Sequence, residues 1–217
     1  CQFFPRYTYA DPSGELDLDS SDLVDGYRRV DNITDQILAQ FQASAGADVT
    51  KDGVFYYVYG LLHGPDYRQR YAADLKKMLP RIPLPDAGAF KAFANAGEEL
   101  ARLHLDYETV DPYPLTENWA GETRDYRVTK MAFPKKGGKS DRTRLCYNAH
   151  LMLEGIPEDA YRYMLGSRSA IEWIIDRYQI RTDKASGIVN DPNSYSEDPR
   201  YIVELLKRIV TVSLETM

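Results

Sequence analysis

Three prolines in six residues, Pro80, Pro83 and Pro85, constrain this chain more than any other local feature. Each fixes its own φ, lacks an amide donor and pushes the residue before it out of helical geometry. The run Pro80-Arg81-Ile82-Pro83-Leu84-Pro85 is therefore read as an extended connector between helical stretches. Upstream of it, Asn32 is expected to cap a helix with Ile33, Ile37, Leu38 and Phe41 on its apolar face and Gly46 at its end. Thr50 is expected to cap a second helix. Its Val54 to Leu62 stretch is apolar and aromatic nearly all round, which predicts burial, although its β-branched and aromatic density leaves a strand open. Gly64-Pro65 ends it, and a third helix carries Tyr67, Tyr71, Leu75 and Met78 up to Pro80. Beyond the connector a helix from about Ala87 to Leu105 places Phe90, Phe93, Gly97, Leu100 and His104 on one face.

The pattern then changes. Tyr107 to Glu122 is rich in Pro, Thr, Asp and Asn; Tyr126 to Phe133 alternates as a strand does; Arg142 to Leu153 reads as the return strand. Between them lies a basic, glycine-containing turn, Pro134 to Ser140, with its tip at Lys135-Lys136-Gly137-Gly138-Lys139. Helices resume at Pro157, and Ser169-Ala170-Ile171-Glu172 has the spacing of a capping box opening a helix through Tyr178. Thr182 to Glu197 reads as a polar loop. Asp198-Pro199 then starts a final helix with Ile202, Leu205, Leu206, Ile209 and Ser213 on one side. At the other end, Gln2 to Tyr9 reads as a strand and Asp11 to Asp25 as an acidic loop. The expected class is α+β: a helical subdomain, a small antiparallel sheet with a basic hairpin, and C-terminal helices. The expected parts are residues 1–106 and 107–217, packed as one unit.

A chain of 217 residues, 43% apolar and 28% charged, buries a core of ordinary size. No apolar run approaches the roughly 18 residues a membrane span needs, so no membrane partner is expected. The start, Cys1-Gln2-Phe3-Phe4-Pro5, has no signal-peptide pattern and reads as beginning within a longer protein. Two cysteines, Cys1 and Cys146, are too few for a disulfide framework and read as reduced thiols in a cytoplasm. The glycosylation triplet Asn32-Ile33-Thr34 is then read as incidental.

Motifs for catalysis are fragments. Gly138-Lys139-Ser140 resembles the end of a phosphate-binding loop, but Phe133 stands where the first glycine belongs. Asp66 and Asp74 lie eight residues apart on one expected helix, too far to converge on a metal. His63, His104 and His150 have no ligand partner at metal-binding spacing. No catalytic residue, metal site or cofactor is expected in this segment.

The charge distribution is more informative. From Arg124 to Arg144 there are eight basic side chains and two acids, a block of +6 in a chain of net −6, so the remainder carries −12. A basic strip on an acidic body suggests a directed anionic partner. Lys135, Lys136 and Lys139, with Lys130 nearby, suit phosphates; Arg127, Arg142 and Arg144 offer planar forks that match guanine in a major groove. Tyr147 and Asn148 lie close by in sequence, and an asparagine can pair with adenine. Lys184 to Asn193 is a second candidate surface.

Long stretches of the chain resemble the C-terminal specificity region of type ISP restriction–modification enzymes. They are Phe3–Tyr9, Asp31–Phe41, Val54–Pro85, Leu103–Leu115, Ser169–Asn193 and Asp198–Met217, nearly the whole length. The helix followed by Arg81-Ile82-Pro83-Leu84-Pro85 also looks like the recognition domains of related adenine methyltransferases. The resemblance implies choice of a double-stranded DNA sequence. It also implies upstream nuclease, helicase-like ATPase and N6-adenine methyltransferase domains in the same polypeptide, using ATP, Mg2+ and S-adenosylmethionine. The other expectation for the segment is a structural module that docks on the methyltransferase or ATPase without reading bases. The basic hairpin matches the family pattern less tightly than the stretches named, so its contact residues rest on their own chemistry.

Overall fold

The computed structural model describes residues 4–11 and 23–217. The chain folds into two compact units, Cys1–Ala101 and Arg102–Met217. The class is α+β, with six α-helices and small antiparallel sheets among the described residues.

In the first unit, β1 (Tyr7–Ala10), β2 (Leu23–Val24) and β3 (Tyr27–Asp31) form a sheet in the order β1-β3-β2, with Tyr7 opposite Asp31 and Leu23 opposite Arg28. The strand expected over 2–9 is thus formed at its C-terminal end. Most of the acidic stretch expected as a loop over 11–25 lies outside the described residues, while Leu23 and Val24 are strand. Helix α1 (Asp35–Ala45) begins later than expected: Thr34, not Asn32, is its cap, its hydroxyl accepting from the Ile37 amide at 3.3 Å. Asn32 instead follows β3, its amide donating to the Arg6 carbonyl and its side chain to the Pro5 carbonyl. Gly46 ends α1 at φ 120°.

Thr50 caps α2 (Lys51–His63) by accepting from the Gly53 amide at 3.0 Å, and Gly64-Pro65 closes it, as expected. Val54, Tyr57, Gly60 and Leu61 are its buried residues and join Phe41, Ala45, Val49 and Ala94 in the core of this unit. The third helix is shorter than its periodicity predicts. Helix α3 covers Pro65–Arg70, and the chain continues to Pro80 in successive turns through Tyr71 and Asp74. The proline connector is extended, and side chains rather than a neighbouring strand satisfy its carbonyls. Tyr67 donates to Arg81, Tyr57 to Pro83 and Ser44 to Pro85, at 2.7, 3.0 and 2.7 Å.

Helix α4 spans Ala87–Leu105, but its buried stripe is Ala94, Gly97 and Ala101, while Phe93 is exposed. Small residues are selected by close backbone approach. A Cβ on Gly97 would lie 1.9 Å from the Tyr56 carbonyl oxygen, and one on Gly60 would lie 2.4 Å from that of Phe93.

The second unit is built on a sheet of β4 (Thr116–Trp119), β7 (Arg144–Cys146) and β8 (Leu151–Glu154), ordered β4-β8-β7. Its core joins Leu145, Leu151 and Leu153 to Ile171 of α5 (Ala170–Arg177) and to Ile202, Val203, Leu206 and Val210 of α6 (Tyr201–Glu215). The capping box at Ser169 and Glu172 forms, and all five residues expected on one face of α6 are buried. Asp198 accepts from the Arg200 amide at 2.9 Å, and α6 starts three residues after it.

The long basic hairpin is corrected. Residues 126–133 are not a strand; they touch the sheet through a bridge, Ala132 to Cys146. The expected return strand over 142–153 folds back on itself at Tyr147 to His150, giving β7 and β8 paired with one another. Asn148 makes that fold, its side-chain oxygen accepting from the amides of His150 and Leu151, both at 2.8 Å. The tip survives as the short ribbon β5 (Lys135–Lys136) and β6 (Lys139–Ser140), closed by Gly137 and Gly138 at φ 59° and 82°. Both values suit glycine and the twist of a two-residue hairpin.

No helix among the described residues is long and apolar enough to cross a membrane.

Candidate nucleic-acid interface

The ribbon β5–β6 presents Lys135, Lys136 and Lys139, all exposed. Among the described residues none of them, nor exposed Lys130, makes an ion pair. Lys136 acts at longer range on Asp141, whose carboxyl the Thr143 hydroxyl chiefly holds below its usual value. Mobile, hydrated ammonium groups on a narrow ribbon suit phosphates.

The three candidate arginines are held differently: each pairs with a carboxylate. Arg127 meets Asp191 at 2.5 Å. Arg144 meets Glu154 directly across the β7–β8 register at 2.6 Å. Arg142, in the turn before β7, pairs with Glu172 and lies over the Tyr161 ring at 4.3 Å. Burial pushes the Glu172 carboxyl up, but the Ser169 amide and hydroxyl together with Arg142 outweigh it and keep it below the usual range. The capping-box residue of α5, Glu172, therefore also holds the candidate Arg142. These guanidinium groups remain about half exposed, at 57%, 44% and 44% for Arg127, Arg142 and Arg144, so each keeps accessible surface beside its carboxylate.

Two candidates change role. Tyr147 is 0% exposed, and its hydroxyl donates to the Tyr126 carbonyl at 3.0 Å. It is a core residue and does not reach a ligand. Asn148 spends its whole amide within the protein, donating to the carbonyls of Asp125 and Arg127 and accepting from His150 and Leu151. Both are corrected from contact residues to braces of segment 125–130.

That segment is irregular yet held at several backbone groups. Asn193 accepts from the Val128 amide and donates to the Val128 carbonyl, both at 2.8 Å. Ile180 donates to the Thr129 carbonyl, and Tyr126 donates to Glu117. The second candidate surface, 184–193, is thereby joined to the first through Arg127–Asp191 and Val128–Asn193. Sequence reasoning missed these partners because they lie 64 and 65 residues apart. Beneath them Glu117 bonds Arg200, Lys207 and Tyr126. Burial opposes its ionisation, but these partners bring its carboxyl down to about 2.

Among the described residues no group of three His, Cys, Asp or Glu side chains is placed to hold a metal ion. His63 bonds the Tyr59 carbonyl, and His104 bonds Thr216 and stacks on Tyr163.

Three solved structures are similar to this chain. The first is described as the ATP-dependent Type ISP restriction-modification enzyme LlaBIII bound to DNA: 36% identity, TM-score 0.80, 98% of this chain and 13% of that one. The second is a nuclease-deletion mutant of the Type ISP enzyme LlaGI with a DNA substrate mimic: 44% identity, TM-score 0.71, 87% of this chain and 14% of that one. The third is a DrdV–DNA complex: 33% identity, TM-score 0.75, 89% of this chain and 20% of that one. This chain thus spans between about an eighth and a fifth of the length of these relatives. No curated protein matches it. The model of the Type ISP C-terminal specificity domain matches residues 1–205, and with that match over nearly the full length, the chain belongs to the Type ISP C-terminal specificity domain family.

Proposed function

We propose that this chain selects the DNA sequence on which a Type ISP restriction–modification enzyme acts. The observation that carries the reading is its family membership over residues 1–205. Similarity over 98% of its length to part of an enzyme held on DNA supports the same reading. The chemistry of the second unit agrees: exposed lysines on a ribbon for phosphates, and carboxylate-held arginines beside them for base edges. Within the full-length protein, the chain serves upstream nuclease, ATPase and N6-adenine methyltransferase domains, which use ATP, Mg2+ and S-adenosylmethionine. The segment itself contributes recognition and no turnover.

The test is to map methylated positions in DNA modified by the full-length protein. The mapping is then repeated after exchanging this chain for the corresponding segment of LlaGI. The methylated sequence is expected to change to that of LlaGI. An exchanged protein that methylates the original sequence overturns the reading and favours a docking module.

A further inference from the structure

The hairpin of strands Arg181–Thr182 and Val189–Asn190 carries an apolar tip that the lysine ribbon lacks. Ile188 is 67% exposed and Val189 58% exposed, consecutive residues on a narrow two-stranded element. The tip is rigidly built. The Asp183 carboxylate accepts from the amides of Ala185 and Ser186 and from the Ser186 hydroxyl, at 3.0, 2.7 and 2.9 Å. Gly187 donates to the Asp183 carbonyl, and the Asp183 amide donates to the Ile188 carbonyl, at 2.8 and 2.9 Å. Two large apolar side chains are thus held out to water by a turn braced on the Asp183 carboxylate.

Two exposed lysines flank them. The base of the hairpin is tied to segment 127–130 by Ile180 to Thr129, Arg127 to Asp191 and Asn193 to Val128. Exposed Lys130 follows on that segment, and exposed Lys184 lies in the tip turn; among the described residues neither makes an ion pair. Asp191 is paired with Arg127, while Asp183, hydrogen-bonded only within its own turn, keeps its negative charge. Apolar side chains flanked by exposed lysines complement a polyanion that has apolar recesses, which is the character of a DNA groove between its phosphate rails. Thymine methyl groups and the faces of opened base steps are such recesses.

We propose that Ile188 and Val189 are specificity-determining residues that make apolar contact with base surface in the target DNA. This rests on the reading of the chain as a target selector. The lysine ribbon then supplies sequence-independent attraction, and the apolar tip supplies discrimination at one or two base pairs.

The experiment uses the full-length protein. Duplexes enriched from a random library by the wild-type protein are the probe, prepared with thymine, with uracil in its place, or with 2-aminopurine at steps outside the modified adenine. Wild type is expected to bind the uracil duplex about tenfold more weakly, or to raise 2-aminopurine fluorescence by opening a step. Ile188→Ser combined with Val189→Thr should abolish whichever effect is seen while keeping general DNA affinity and its salt dependence. Ile188→Leu combined with Val189→Ile should retain it. Both pairs sit on exposed tips, and circular dichroism checks that they fold. Wild type that treats the thymine and uracil duplexes alike and leaves 2-aminopurine quenched overturns the proposal while target selection stands. Wild type that enriches no sequence overturns target selection and this proposal with it.

Discussion

Asn193 pairs with Val128 as a neighbouring strand would: its side-chain oxygen takes the Val128 amide, and its side-chain nitrogen gives to the Val128 carbonyl, both at 2.8 Å. Val128 is 0% exposed, so both backbone groups depend on this one side chain. The residue thereby holds Arg127 and Lys130 beside the second hairpin. Asn193→Ala leaves a buried donor and a buried acceptor without partners and is expected to cost roughly 3 kcal/mol. Thermal unfolding measures the loss, and faster hydrogen exchange at the Val128 amide locates it. Unchanged exchange there would remove Asn193 from this role.

The lysine ribbon and the paired arginines should separate in solution. Replacing Lys135, Lys136 and Lys139 by Ala in the full-length protein should weaken binding to all sequences and reduce the magnitude of the salt slope by up to about 3. Site choice should survive. Replacing Arg142 and Arg144 by Ala should relax site choice by roughly 1–3 kcal/mol per lost base contact. Methylation mapping reads the second effect, and salt-dependent binding the first. Arginine variants that methylate the wild-type sequence with unchanged fidelity would count against their assignment to bases.

Glu117 makes stability depend on pH in a defined window. Its carboxyl is lowered from an ordinary 4.5 to about 2 in the folded protein, so its contribution is complete above about 4.5 and disappears as pH falls towards 2. Glu117→Gln is expected to cost roughly 3 kcal/mol at neutral pH, because Arg200 and Lys207 lose a shared, largely buried partner. The difference from wild type should shrink between pH 4.5 and 2. Urea unfolding across that range checks it, and a constant difference would show that Glu117 does not carry the linkage.

The contact of α2 with α4 tolerates no side chain at its centre. Gly97→Ala would put a Cβ 1.9 Å from a backbone oxygen, so the helices must separate. The expected cost is about 3 kcal/mol or more, at the upper end of overpacking effects. Gly88→Ala, where the nearest atom is an Asp86 side-chain oxygen at 3.4 Å, should be far milder. Comparison of their unfolding midpoints tests the close approach.

Local chemistry alone determined much of this protein. The Gly46 and Gly64-Pro65 stops, the Thr50 cap, the Ser169–Glu172 capping box, the bounds of α4 and the Gly137-Gly138 turn depend on residues a few positions apart, and each formed where the sequence placed it. The position of the lysines at a ribbon tip followed from the same kind of information. Tertiary structure decided the rest. Tyr126 to Phe133 has the alternation of a strand, but the side chains of Asn148 and Asn193 took the backbone groups that a neighbouring strand would have used. Helix α4 buried its small residues rather than Phe93 because α2 approaches too closely for larger ones. Tyr147 went into the core and each candidate arginine found a carboxylate on another element. Hydrogen-bond and charge partners distant in sequence are chosen by packing, and periodicity within a segment carries no information about them.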